Sequence, residues 1–194
     1  ARAVQERWIP VRRALRATLA RVHSLIVAKR AFRSALLREL LMRRRGFPGF
    51  GGDDRWENVR IGDVAQERSV RAGTAGGPVY SCTKHQGLVP SLQYFGKQVF
   101  SRNLSNYKVV QRGEFAYATN HIEEGSLGLN EDCEFALVSP MYTVFGIDGQ
   151  RVLPQFLYYV LKTEDYRQMF QRLTSGSVDR RGALRWSLFR TIEI

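Results

Sequence analysis

The chain has few of the residues from which metal centres and disulfide scaffolds are built. Its only two cysteines, Cys82 and Cys133, stand alone, with no partner cluster and no metal-ligand spacing. They are expected as two reduced thiols of a cytosolic protein, where disulfides are rare. The only three histidines, His23, His85 and His121, are far apart, and none has another His or Cys at ligand spacing, so no metal site is expected. No apolar run approaches the roughly 18 residues a membrane span needs. The basic N-terminus leads into a charged periodic segment rather than the apolar core of a signal peptide, and no membrane partner is expected.

Catalytic and nucleotide-binding motifs are also missing. Gly49-Phe50-Gly51-Gly52 is glycine-rich, but no strand precedes it and no helix follows. Gly96-Lys97-Gln98 lacks the Ser/Thr and the upstream glycine of a phosphate-binding loop. Ser175 lies in Ser-Gly-Ser rather than a Gly-x-Ser-x-Gly elbow. Ser139-Pro140-Met141-Tyr142 is one residue away from the Ser-Pro-Pro-Tyr tetrad with which amino-methyltransferases grip the amine of a flipped base. Methyl transfer, however, requires a cofactor half with a glycine-rich turn after its first strand, and no such turn exists here. The tetrad reads instead as a strand entering the core, bent at Pro140. No catalytic residue stands out, and a non-enzymatic protein is expected.

Positive charge is abundant and unevenly placed. The 194 residues carry a formal net charge of +12 and a pI near 10.3, which makes polyanions the first partners to consider. Residues 1–50 hold 13 Lys+Arg against 2 Asp+Glu. Residues 114–150 hold seven carboxylates and no Lys or Arg, so this stretch is expected to face away from a nucleic acid.

From Val11 to about Arg45 the apolar residues Leu15, Leu19, Val22, Ile26, Phe32, Leu36 and Leu40 recur at helical spacing, among arginines. Lys29 interrupts the stripe. A rod with one narrow apolar stripe needs another helix to cover it, so an assembly element is expected. Gly46-Phe47-Pro48-Gly49 stops it. The expected divisions are a long helix over 1–46, a linker over 47–55, and a domain over 56–194. In the domain, strands are expected at 78–83, 97–101, 107–110, 114–118, 134–138 and 141–146. One or two helices are expected over 153–173, with Pro154 in a first turn and Phe156, Tyr159, Val160, Met169, Phe170 and Leu173 on one side. A polar loop is expected after them. The class is α+β, with a mixed or antiparallel sheet.

Two polar segments carry binding chemistry. In 81–107, Gln86, Gln93 and Asn103 offer paired hydrogen-bonding groups that fit base edges, as does Arg180 in 174–190. Lys84, Lys97, Arg102 and Arg181 are candidates for phosphate contacts.

These residues resemble a known family. "LIVAKRAFRSALLRELLMRRRGFPGF" (25–50) resembles the end of the spacer helix in specificity subunits of type I restriction-modification enzymes, and "WENVRIGDV" (56–64) the opening of the target recognition domain that follows. "YSCTKHQGLVPSLQYFGKQVFSRNLSNYKVVQRGEFAYATN" and "GSLGL…ALVSPMYTVF" are similar to that domain's middle, and "FLYYVLKT…YRQMFQRLTSGSVDRRGALRWSLFRTIEI" to its close. The resemblance implies half a specificity subunit, one spacer helix and one recognition domain, that reads one half of a split double-stranded DNA target. It implies docking to methyltransferase subunits, indirect association with the restriction/translocase subunit, and self-association or pairing with a second half through the helix. S-adenosylmethionine, ATP and magnesium would reside on the partner subunits and none on this chain; the setting would be the prokaryotic cytoplasm. The contrasting expectation is a protein-interaction scaffold of the same fold without sequence readout.

Overall fold

The computed structural model describes residues 2–41, 57–175 and 182–194. The chain divides into two compact units, Ala1–Asp54 and Arg55–Ile194.

The first unit is built on one helix, α1 (Arg2–Leu41), 40 residues long. At about 1.5 Å per residue it spans roughly 60 Å. It begins at Arg2, ahead of the repeat read from Val11, and runs through Pro10, which lacks the N–H that would bond one turn back. No further Pro and no Gly interrupts the helix after it, and it continues past that one missing bond. Leu15, Leu19, Val22, Ile26, Phe32 and Leu36 are all exposed, and Leu40 is half-buried. Leu15, Leu19, Val22, Ile26, Leu36 and Leu40 keep a strict heptad spacing, broken where Lys29 and Arg33 occupy the same seam. The expected end near Arg45 and the 47–55 linker lie outside the described residues.

The second unit opens with a single turn, α2 (Ile61–Val64), followed by β1 (Ala65–Arg68). The strands β2 (Tyr80–Thr83) and β3 (Gly87–Pro90) form a hairpin that runs straight into α3 (Ser91–Phe95). β4 (Lys108–Gln111), β5 (Phe115–Ala118), a 3-10 turn (Ile122–Glu124), β6 (Leu127–Leu129), β7 (Phe135–Val138) and β8 (Tyr142–Ile147) follow. α4 (Pro154–Leu161), α5 (Glu164–Ser175) and α6 (Trp186–Phe189) complete the unit. β1-β8-β5-β6 make a four-stranded sheet, and β4 pairs with β7. All ladders are antiparallel; a lone parallel bridge joins Val79 to Leu137. The α+β class holds.

An aromatic core fixes the sheet. Phe115 and Phe145 are register partners, and their rings stack at 4.8 Å. Phe189 packs on Tyr117, Phe145 and Phe170, with ring centroids 4.7, 5.4 and 5.9 Å away. Phe189 and Leu184 are fully buried, so the latter half of the expected polar loop is core. Its arginines obscured that pattern: Arg185 and Arg190 point to solvent around an apolar face. The chain's last strand-like residues close the unit onto its start, with Ile194 and Val59 exchanging both backbone hydrogen bonds at 2.9 and 3.1 Å.

Several expectations are corrected. Residues 97–101 are not a strand. No neighbouring strand offers a ladder there; the Ser101 amide donates to the Tyr107 hydroxyl at 3.1 Å instead. β1, β3 and β6 were not expected, because AQER carries one apolar residue and GLVP and LGL are short apolar pieces broken by Gly or Pro. β6 also contains Gly128, where a Cβ would overlap the Leu88 backbone; the glycine lets two strands of different sheets touch. In the helical pair the buried face is Leu157, Val160, Leu161, Tyr166, Phe170 and Thr174, whereas Tyr159 is exposed. The break at Lys162–Thr163 restarts the helix and shifts its phase. Ser139–Tyr142 is a tight turn, closed by the Tyr142 amide on the Ser139 carbonyl at 3.0 Å, rather than a strand. It carries the chain from β7 in one sheet to β8 in another.

Candidate nucleic-acid interface

Segment 81–107 is two exposed features joined by a buried hairpin. Lys84, His85 and Gln86 stand exposed in the turn between β2 and β3, while Cys82, Thr83, Gly87 and Leu88 beside them are buried. Thr83 shapes the turn: its hydroxyl accepts from the Gln86 amide at 3.1 Å and donates to the Gly87 carbonyl at 3.0 Å. Gly87 takes φ +68°, and a Cβ there would also collide with the Tyr158 hydroxyl. The turn is held from beneath by Lys162, whose ammonium donates to the carbonyls of Lys84 at 3.0 Å and Gly125 at 2.7 Å. Burial lowers the Lys162 pKa, an effect that the nearby Cys82 thiol opposes.

The second feature lies at the other end of the hairpin. Three residue steps of β3 separate Gly87 from Pro90, roughly 10 Å of strand. Gln93 is exposed on α3, and Lys97, Arg102 and Asn103 are exposed on the loop after it. Gln86 and Gln93 therefore stand beyond opposite ends of β3, Gln86 in the turn before it and Gln93 on α3 after it. Asn103 has a structural task, because its side-chain oxygen accepts the Ser105 amide at 3.0 Å, so its NH2 is the group that remains to donate. Arg180 and Arg181 lie outside the described residues. Thr174 is buried and bonds the Phe170 carbonyl, and the Leu184 amide bonds Thr119 at 2.9 Å. Thr119 also donates to Met141 at 3.1 Å, so the 139–142 turn and the end of the arginine segment meet at one residue.

The electrostatics of residues 68–113 separate into two groups. This stretch has seven Lys and Arg and no Asp or Glu. Four cations are engaged inside the fold. Arg68 pairs with Glu114 at 3.5 Å, and Arg71 donates to the Asn106 carbonyl at 3.0 Å. Lys108 donates to the Tyr142 carbonyl at 2.6 Å, and Arg112 donates to the Glu131 carbonyl at 2.8 Å. Lys84, Lys97 and Arg102 make no side-chain hydrogen bond or ion pair among the described residues. Residue type cannot distinguish these groups; the distinction comes from which carbonyls the folded backbone brings near. Lys162 and Thr83 were missed for the same reason, although a Thr four residues before Gly is a weak turn signal.

The acidic stretch gathers His121, Glu123 and Glu124 at the 3-10 turn, with their ligand-type atoms within 4.8 Å of one another. Sequence spacing to another His or Cys does not reveal such a group. His121 and Glu124 are exposed and approach at 3.5 Å, an ordinary surface pair. Both cysteines are free thiols, Cys82 buried and Cys133 half-buried. No helix among the described residues is long and apolar enough to cross a membrane.

A long helix followed by an α+β domain is an arrangement shared with proteins of type I restriction-modification systems. The fold over 98% of this chain is similar, with a TM-score of 0.50 at 14% identity, to 46% of a chain in a structure described as the basis of complex assembly and conformational transition of the type I R-M system. The HsdS subunit from Thermoanaerobacter tengcongensis is another neighbour, with a TM-score of 0.48, 13% identity, 98% of this chain and 45% of that one. The chain thus spans about half the length of each. No family model matches, and no curated protein does.

Proposed function

We propose that this chain reads one half of a split double-stranded DNA target and presents it to methyltransferase subunits of a type I restriction-modification complex. One observation carries the reading: the fold likeness extends over 98% of the chain, helix and domain together, rather than over a common sheet alone. The uncommitted cations Lys84, Lys97 and Arg102, beside the polar turn and α3, support it as phosphate anchors. Gln86, Gln93, Asn103 and Arg180 are proposed as base readers, with Arg181 a further phosphate contact. The exposed heptad seam of α1 is proposed to pair with a second helix, in another copy or a second half, and so to set the spacing of the half-sites. Chemistry then belongs to the partners: S-adenosylmethionine on the methyltransferase, ATP and magnesium on the translocase.

The test is selection of duplexes from a randomised pool by the full chain, alone and with a type I methyltransferase subunit. Enrichment of one short sequence, bound with a steep salt dependence, is the expected result. Binding with no enriched sequence would instead identify a scaffold that lacks readout.

A further inference from the structure

Leu92 to Val99 are eight consecutive exposed residues, and four of them are large and apolar. Leu92 is 58% exposed, Tyr94 47%, Phe95 43% and Val99 49%. Among the other described residues of the second unit, Val70, Met141, Leu153, Tyr159 and Leu188 are single exposures, distributed along the chain. Isolated apolar residues at a surface need no explanation, whereas a continuous patch marks a binding site.

The patch is held rigidly. Ser91, at the base of α3, is fully buried. Its amide donates to Val79 at 2.8 Å, and its hydroxyl meets the Ser81 hydroxyl at 2.8 Å. At the other end the Gly96 amide closes α3 on the Leu92 carbonyl at 3.0 Å, with Gly96 at φ +65°. The Tyr94 and Phe95 rings brace each other edge to face, 4.9 Å apart. Leu92 and Phe95, three positions apart on one turn, share a side.

Charge identifies the occupant. The patch sits in the 46-residue stretch from Arg68 to Gly113 that has no carboxylate, with Lys97 inside it and Arg102 three residues beyond, neither with a side-chain hydrogen bond or ion pair among the described residues. An apolar tip accompanied in the chain by two exposed cations is complementary to a polyanion that has an apolar interior, and duplex DNA, with stacked bases between two phosphate rails, is such a ligand. We infer that α3 is an apolar wedge: Phe95 and Leu92 enter a base step, while Lys97 and Arg102 hold the flanking phosphates. Side chains of these types partly unstack the step they enter and kink the duplex. This rests on the DNA-reading function proposed above and adds deformation to it, as a second source of sequence preference beside hydrogen bonding.

The experiment uses the full chain and the duplex it enriches from a randomised pool, with 2-aminopurine placed at each step in turn. Wild type should raise the fluorescence at one step. Phe95→Ala and Leu92→Ala should abolish that rise and weaken binding roughly 5- to 100-fold, the range of one lost base contact with an aromatic group. Neither should change the salt slope, because neither carries charge, whereas Lys97→Ala should lower the slope by about one. Thermal melting checks that these surface variants stay folded. A duplex bound with no fluorescence rise at any step overturns the wedge, as do variants that keep wild-type fluorescence and affinity. Intact DNA affinity with lost capture of a methyltransferase subunit overturns it too, and makes the patch a protein interface. Failure to enrich any duplex overturns the DNA-reading function along with the wedge, which separates the two failures.

Discussion

Lys162 donates a hydrogen bond to the carbonyl of Lys84 at 3.0 Å, joining residues 78 positions apart. The ammonium is capped at the same time by Gly125 and, more weakly, Leu127. A helix end thus clamps the turn that carries Lys84, His85 and Gln86. Lys162→Met keeps the aliphatic stem and leaves these carbonyls without their donor. The expected cost is about 1–3 kcal/mol of unfolding free energy, because desolvation of the buried ammonium offsets part of what the bonds contribute. If the turn reads bases, preference for the enriched duplex over random DNA should fall further than affinity for random DNA. Equal loss on both would mean that Lys162 supports the fold and has no part in readout.

The heptad seam of α1 is the second point of test. Leu19, Val22 and Ile26 are exposed in the single chain, so charging them removes association without disturbing packing. Replacing Leu19, Val22 and Ile26 together with Asp should abolish self-association or partner binding. Thermal unfolding of the second unit should be unchanged. Sedimentation velocity is the measurement, and an unaltered distribution would refute the assembly role.

Lys97→Ala and Arg180→Ala should behave differently on DNA. A phosphate anchor contributes to every sequence, so Lys97→Ala should weaken enriched and random duplexes alike and lower the salt slope by about one. A base reader contributes only on the right sequence, so Arg180→Ala should cost about 1–3 kcal/mol there and little elsewhere. Titrations at several salt concentrations decide. Equal losses for Arg180→Ala on both duplexes would remove base readout from the 174–185 segment.

Phe189 tests the closure of the domain by its C-terminal segment. It is fully buried against Tyr117, Phe145, Phe170 and Trp186. Phe189→Ala should destabilise the second unit by about 3–5 kcal/mol, the usual range for a large core deletion. Denaturant unfolding followed by tryptophan fluorescence reports it through Trp186. A loss below about 1 kcal/mol would mean that the segment is not part of the cooperative core.

Cys82 provides a pH test. Burial pushes its thiol well above the ordinary value of 9.0, and the nearby Lys162 opposes this only in part. An acid whose folded pKa is raised contributes stability that is fully present below the unfolded pKa and is lost as pH rises above it. Stability from this site should therefore be constant up to about pH 9 and decline beyond. Iodoacetamide should label half-buried Cys133 before Cys82 at pH 8, read by mass spectrometry. Immediate labelling of Cys82 in the folded protein would contradict its burial.

Some of this was legible from residue order, because the interactions are local. The helical repeat from Leu15 to Leu40, Pro154 in the first turn of α4, and five strand positions follow from side-chain periodicity and turn residues that act within a few positions. Net charge and its blocks are likewise sums over residues. The remainder depends on approaches between distant parts of the chain. Gly128 matters because β6 meets Leu88, and Lys162 because α4 ends beneath Lys84. Leu184 and Phe189 become core because the sheet needs a cover that the preceding strands do not provide. The same holds for the seven cations of 68–113. Each is equally charged in the sequence, and only the folded backbone, by offering carbonyls or Glu114 to Arg68, Arg71, Lys108 and Arg112, leaves Lys84, Lys97 and Arg102 facing solvent without a side-chain hydrogen bond or ion pair among the described residues.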